Sequence, residues 1–328
     1  MTQQAATDIN AVVPPTLNHM IGMGSAVERI QVAVDAMFNQ GGDAAFPSTL
    51  LLGPKGTGKT LLAQTVAKET GLADKFCEVL GQAINSPSTL NRMLMDAEGG
   101  ILFIDEMHSL PPAAQIDLLK AVEQKRIYIN RSEGAPTEMT LGNFTVIGAT
   151  TEEYGILSPL LDRFRLIIRM DFYSEADLAR ILEQRARALG WHVEDGLFAE
   201  IAKRGKQTPR VALRLLDSCW RTAKASNAAK VTAEHFRQAT RLEEIDAIGC
   251  DKAEQAYLRF LAEAEGKARL NVLATRLGLP TRTVEGLEQF LIRNGLVDKN
   301  DYGVRVLTPK GMLHLRGETK ASAESKGA

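Results

Sequence analysis

Gly53-Pro54-Lys55-Gly56-Thr57-Gly58-Lys59-Thr60 brings together the residue types from which a phosphate-binding loop is made. Successive backbone N–H groups of a glycine-rich turn can enclose phosphate oxygens that bulkier residues would hold at a distance. Lys59 is placed to neutralise β- and γ-phosphates, and the Thr60 hydroxyl to ligate the magnesium that accompanies them. With Leu61, which opens the helical stretch beyond, these residues form a candidate nucleotide site for ATP and Mg2+. A second constellation, Asp105-Glu106, ends the apolar run Ile101-Leu102-Phe103-Ile104. There one carboxylate can hold the metal through water while its neighbour polarises an attacking water, which assigns Asp105 to the metal and Glu106 to general base. Two carboxylates could equally sit at a helix N-terminus, where the dipole favours them; the phosphate loop upstream tips the reading toward metal and base. Thr150-Thr151 follows another apolar run, Phe144 to Ala149, and the hydroxyl there can sense the γ-phosphate or simply cap the strand end.

These residues need a scaffold, and the apolar pattern supplies one. Ser48 to Leu52, Phe76 to Leu80, Ile101 to Ile104, Phe144 to Ala149 and Leu166 to Met170 are short apolar runs that read as buried strands. Helical spacing separates them, with Val27, Ile30, Val34, Met37 and Phe38 marking a first helix and Leu61 to Glu69, 88–98 and 111–124 further ones. Arg126 to Ile129 and Glu138 to Leu141 alternate around the polar turn Ser132 to Pro136, which predicts a β-hairpin. The expected fold is therefore α/β with a parallel sheet carrying the site at its carboxyl edge. At Asp171-Phe172-Tyr173-Ser174 the pattern turns all-helical, with helices expected at 175–189, 195–204, 208–226 and 232–245. Thr208 caps the third of these, Pro209 takes its first position, and Arg210, taken alone, is a solvated helix-start charge.

After Gly249 the composition resets: helices near 253–264, 271–277 and 281–294, then short strands around Asn300-Asp301-Tyr302-Gly303, make a winged-helix pattern. In its third helix Val284, Leu287 and Leu291 form the inward stripe, while Arg282, Glu285, Glu288 and Arg293 leave a nearly neutral outer face. Contacts to a DNA backbone are therefore expected from Lys299, Arg305 and Lys310 around the wing. The domain limits read as a flexible lead at 1–16, an ATPase domain at 17–171, a helical lid at 172–248, the winged helix at 249–317 and a disordered tail at 318–328.

The bulk numbers bound the partners. With 328 residues, a net charge of -1 and 24% charged residues, the chain has no global basic excess, so nucleic-acid contact has to come from local patches or several copies in a ring. Cys77, Cys219 and Cys250 are isolated, without a C-x-x-C pair, which points to buried thiols in a reducing compartment and a cytoplasmic protein. The amino terminus lacks a signal-peptide pattern, and no run approaches the roughly 18 apolar residues that cross a bilayer.

In this order, phosphate loop, acidic strand end, strand-end Thr, an LxRF arginine and a TPR arginine resemble an AAA+ ATPase, and within that superfamily the RuvB family of Holliday-junction branch-migration motors. The segments that carry the resemblance are LFIDEMHSL, FTVIGATT, SPLLDRF, DFY, TPRVALRLL, LEQFLIRNGLV and the loop GQAINSPSTL, spread from about Leu17 to Leu315. The resemblance implies Thr150 as sensor 1, Arg163 as an arginine finger toward a neighbouring subunit, Arg210 as sensor 2, and Leu17, Met20 and Ile21 around the adenine. It also implies a homo-hexameric ring on double-stranded or branched DNA and a RuvA-like junction-binding partner. The chain departs from the family pattern at Leu161, where the family usually has a second arginine, in the longer stretch Arg204 to Arg210, and in the wing, Lys299 to Arg305. A divergent RuvB-like AAA+ ATPase that remodels a protein or another DNA complex is the alternative; against protein remodelling, Leu80-Gly81-Gln82-Ala83 offers no aromatic pore residue.

Overall fold

The computed structural model describes residue 9 and residues 12–41, 44–129 and 137–325, without side chains from 318 onward. The polar turn expected at Ser132 to Pro136 and most of the expected lead lie outside the described residues. The chain divides into two compact units, one formed by 1–190 with 207–213, the other by 191–206 with 214–328.

The first unit runs α1 (Gly24–Asn39), β1 (Thr49–Leu52), α2 (Lys59–Glu69), β2 (Phe76–Leu80), α3 (Pro87–Asp96), β3 (Ile101–Asp105), α4 (Pro112–Gln124), β4 (Arg126–Ile129), β5 (Thr137–Thr140), β6 (Thr145–Thr150), α5 (Ser158–Leu161), β7 (Leu166–Arg169) and α6 (Glu175–Ala188). Five strands form a parallel sheet in the order β2-β3-β6-β1-β7, as the apolar runs predicted. β1 and β6 are buried at every position, which is what a central strand covered on both faces requires. The register matters for chemistry, because Leu52 pairs with Thr150 and Leu80 with Asp105. The phosphate loop, Thr150 and Asp105 thus leave the sheet at one edge. β4 and β5 form the expected antiparallel pair, with Arg126 opposite Thr140. A core of Leu50, Leu90, Leu102, Ile104, Leu118 and Val146 fills the space beneath α3 and α4. At about 25 cal/mol per Å² of apolar surface, this burial is the main term that holds the strand edge in place.

The second unit contains β8 (His192–Val193), α7 (Leu197–Lys203), the part of α8 (Pro209–Ala225) from Arg214 on, β9 (Lys230–Val231), α9 (Ala233–Leu242), α10 (Lys252–Glu263), β10 (Lys267–Arg269), α11 (Leu270–Leu277), α12 (Thr281–Arg293), β11 (Val297–Lys299), β12 (Val304–Leu307) and α13 (Pro309–Ser325). Trp191 and Trp220 stack with ring centroids 4.6 Å apart. Helices α10 to α12 close over an antiparallel sheet in the order β10-β12-β11, with Tyr257, Leu261, Leu273, Val284 and Leu291 in its core. This is a winged-helix arrangement, with two differences from the sequence reading. The expected strands flank Asn300 to Gly303 as β11 and β12, and the turn closes where the Asn300 side chain accepts from Tyr302 and Val304 N–H. β10 is an additional strand that pairs with β12. α13 continues to Ser325, where a disordered tail was expected from 318.

The longer stretch Arg204 to Arg210 also has a structural explanation. Lys206 and Gln207 both adopt positive φ, 49° and 60°. Lys206 then reaches the start of α10, with its Nζ 2.6 Å from Glu254 and 3.0 Å from Asp251, the residue that caps that helix.

Candidate active site

The phosphate loop takes its shape from backbone that only glycine adopts freely: Gly56 and Gly58 have φ of +80° and +96°. Gly58 precedes α2, so the helix begins with Lys59 and presents its free N–H groups to the loop. A Cβ at Gly56 would lie 2.9 Å from the Arg210 Cβ, so the loop needs glycine there for space as well as for φ. The Arg210 N–H donates to Gly56 O at 3.3 Å, and the Tyr173 hydroxyl donates to Thr57 O at 3.0 Å. Tyr173 in turn leaves no room for a side chain at Gly22, whose added Cβ would lie 2.7 Å from the ring. The loop is therefore tied to the starts of both α6 and α8.

Lys59 is buried, and its Nζ donates to Gly53 O at 2.8 Å and Pro54 O at 3.0 Å. Burial lowers its pKa to about 8; Arg210 and Lys55 act in the same direction, and Asp105 and Glu106 oppose it. The Thr60 hydroxyl stands 3.5 Å from an Asp105 oxygen, so the two candidate metal ligands converge. Both are hard oxygen donors of the kind Mg2+ selects, and the residues present fit that ion. Asp105 accepts the Glu106 N–H at 2.9 Å, and Glu106 adopts φ 50°, an uncommon conformation for its type that turns the carboxylate out of the strand. Lys55 Nζ lies 3.7 Å from Glu106 across a largely exposed gap.

A cavity of about 350 Å³ joins these groups. Lys55, Gly56, Thr57, Gly58, Lys59, Thr60 and Leu61 line it, with Asp105, Glu106, Thr150 and Arg210, and Met20 and Ile21 complete the wall. Gly53 and Pro54 are absent from the lining and act on it through the carbonyls that hold Lys59. Leu17 is a correction. It is fully buried in the core, its N–H bound to Glu69, so it supports the cavity without facing it. Arg163 also lies elsewhere, with its guanidinium 3.1 Å from Glu123 in an exposed pair.

Several site residues escaped the sequence reading. His108 Nδ1 lies 2.9 Å from the Thr150 hydroxyl, which also receives the Glu152 N–H at 3.0 Å. Tyr173 was visible only as part of a motif. Gln184 and Arg185 line the cavity from α6, with Gln184 bound to His19 O at 2.9 Å. Arg185 did carry a signal, a charge within the helix's apolar stripe.

The DNA candidates need the larger correction. Arg305 is 4% exposed; its Nε donates to Glu288 at 2.8 Å, Nη2 bonds the other oxygen of that carboxylate, and Nη1 donates to Gly303 O at 2.8 Å. The Tyr257 hydroxyl donates to the same Glu288 at 3.1 Å. Arg305 is thus a buried cross-brace of the wing with no reach toward a phosphate, and Glu288 faces inward where the sequence reading put it outside. Lys299 is exposed, and Lys310 is exposed with its Nζ on Asn294 O at 2.8 Å.

Comparison with known proteins agrees with this geometry. Family models described as the Holliday junction DNA helicase RuvB P-loop domain, the RuvB AAA lid domain and the RuvB C-terminal winged helix domain match residues 12–170, 173–246 and 247–316. The Holliday junction branch migration complex subunit RuvB of Mycobacterium sp. (strain KMS) is 34% identical over 317 residues, covering 94% of this chain and 87% of its own length. Its counterpart from Mycolicibacterium gilvum (strain PYR-GCK) is 34% identical, with 98% of this chain and 90% of that protein covered. Among solved structures, a mutant of Thermotoga maritima RuvB superposes with a TM-score of 0.81 at 29% identity, covering 93% of this chain and 99% of that one. The Thermotoga maritima RuvB Holliday junction branch migration motor gives 0.78 at 28%, covering 92% and 97%. With three family models matched in order over nearly its whole length and relatives a third identical, the chain belongs to the RuvB family of AAA+ ATPases.

Proposed function

We propose that the chain hydrolyses ATP and, as a ring of identical subunits, uses the turnover to move double-stranded DNA through a Holliday junction in recombination and repair. The observation that carries this reading is the single cavity that collects Lys59, Thr60, Asp105, Glu106, Thr150 and Arg210. Lys59 and the N-terminus of α2 bind phosphate charge, and Arg210 adds a second cation from the start of α8. Thr60 and Asp105 would hold Mg2+, which would supply charge neutralisation at the phosphates. Glu106 orients and polarises the attacking water, and Thr150 fixes its position. Arg163, paired with exposed Glu123 among the described residues, can exchange that partner for a neighbour's nucleotide, because an exposed ion pair contributes about 0–1 kcal/mol. The ATPase domain spans 17–171, the lid 172–248 and the winged helix 249–317, with Lys299 and Lys310 as the backbone contacts that remain. The names of the relatives place them in a branch migration complex, which supports a RuvA-like partner; a homo-hexameric ring is the form proposed for the assembly.

The test is ATP turnover with a four-way junction, with linear duplex and without DNA. Turnover is expected to rise most with the junction, and Glu106→Gln should bind ATP yet stay below about 1% of the parent rate. Equal rates in all three conditions would remove branched DNA as the substrate.

A further inference from the structure

Arg185 breaks the pattern of its helix. Leu178, Ile181, Leu182 and Ala186 are the other buried residues of α6, and Arg185 is 5% exposed among them. Its Nε is fully buried without a hydrogen-bond partner, and no described carboxylate faces the guanidinium. Burial alone lowers its pKa below the ordinary value. A buried arginine whose Nε–H has no acceptor burdens the fold, and methionine or leucine would pack the same stripe without that burden. Such a group is retained where a ligand completes it.

The place of Arg185 says which ligand. It lines the cavity that holds the phosphate loop, together with Ile181, one turn earlier on the same helix face, and the adjacent Gln184. Gln184 fixes that face to His19 O, and Met20 and Ile21, which follow His19, are also in the wall. Met20, Ile21 and Ile181 are apolar, and with His19, Gln184 and Arg185 they line the cavity apart from the loop residues that bind phosphate, so a nucleotide with its phosphates at Lys59 brings its nucleoside to them.

We propose that Arg185 recognises the base of the bound nucleotide, donating from its guanidinium to a purine ring nitrogen, and so sets nucleotide affinity and purine selection in this chain. The proposal rests on the nucleotide reading of the cavity. Arg185 is a binding residue with no part in the hydrolytic step, and its donor capacity is satisfied only when the site is filled.

Calorimetry on the full chain tests it with ADP, inorganic pyrophosphate, and the 1-, 3- and 7-deaza analogues of ADP, each of which lacks one ring acceptor. The parent is expected to bind ADP and to lose about tenfold to a hundredfold with one of the three analogues, the range for a hydrogen bond to a charged donor. In Arg185→Met, ADP should weaken by the same factor, the analogues should become equivalent to ADP, and pyrophosphate should bind as in the parent. The melting temperature without nucleotide should rise in the variant while the shift caused by ADP shrinks, a pair of opposite changes that lost packing does not produce. Arg185→Lys, which keeps the charge, should retain part of the discrimination. If the parent binds ADP and Arg185→Met binds it equally well, or loses ADP and pyrophosphate alike, this inference falls and the nucleotide reading stands. If the parent binds no ADP, both fall.

Discussion

Lys59 shows how a side chain can be prepared for a ligand by its own discomfort. Its amine is held by two carbonyls yet buried enough that its pKa drops from 10.5 to about 8, so above that pH the empty site holds it neutral. A bound phosphate needs the ammonium and raises the pKa again. Nucleotide binding should therefore take up a proton above about pH 8, and ADP affinity should fall with rising pH there, by at most about tenfold per unit. Calorimetry at pH 7 and pH 9 in buffers of different ionisation enthalpy measures both effects, and Lys59→Arg, which stays charged, should flatten the dependence. Stability without ligand should move the other way. A lysine with a lowered folded pKa weakens the fold below about pH 8, and that loss is relieved as pH climbs toward 10.5. An affinity that holds level from pH 7 to 9 would mean that the amine stays charged in the empty site.

At the scale of the element, the wing is held by a charge pair taken out of solvent. Glu288 of α12, Arg305 of β12 and Tyr257 of α10 join three elements through one carboxylate. Removing one partner strands the other, so Arg305→Ala should destabilise the protein by about 3–5 kcal/mol in urea unfolding, while the double change Glu288→Gln with Arg305→Met should recover most of it. The slope of DNA affinity with salt should respond to Lys299→Ala and Lys310→Ala instead. This network also shows where the sequence stopped being legible. The parallel strands were readable because a central strand needs an unbroken apolar run, and the phosphate loop because its glycines and lysine admit few other uses. Glu288 was put on the wrong face because charge alone marks solvent until a partner is known, and that partner lies 17 positions away. β10 was missed because Lys267-Ala268-Arg269 buries one residue, too few for a period. Family position alone points Leu17 toward the adenine, whereas its side chain is buried and its N–H is bound to Glu69 of α2.

For the whole molecule the cavity lacks one expected part, since Arg163 pairs with Glu123 outside it. If a neighbouring copy completes the site, turnover should grow more than linearly with protein concentration, and Arg163→Ala should lower it by about 10³ or more. Mixing Arg163→Ala with Lys59→Ala should partly restore activity, because some interfaces then join an intact loop to an intact finger. A mixture that stays inactive although mixed rings form by native mass spectrometry would assign Arg163 another role. Within one subunit, the ties from Arg210 to Gly56 and from Tyr173 to Thr57 have a mechanical corollary. Whatever free energy nucleotide exchange applies to the starts of α6 and α8, a pull on those helices must return to the nucleotide in equal measure. The loop is in that sense a load gauge: a ring whose DNA is held fast should retain its spent nucleotide and slow its own cycle, and a ring that runs freely should let it go.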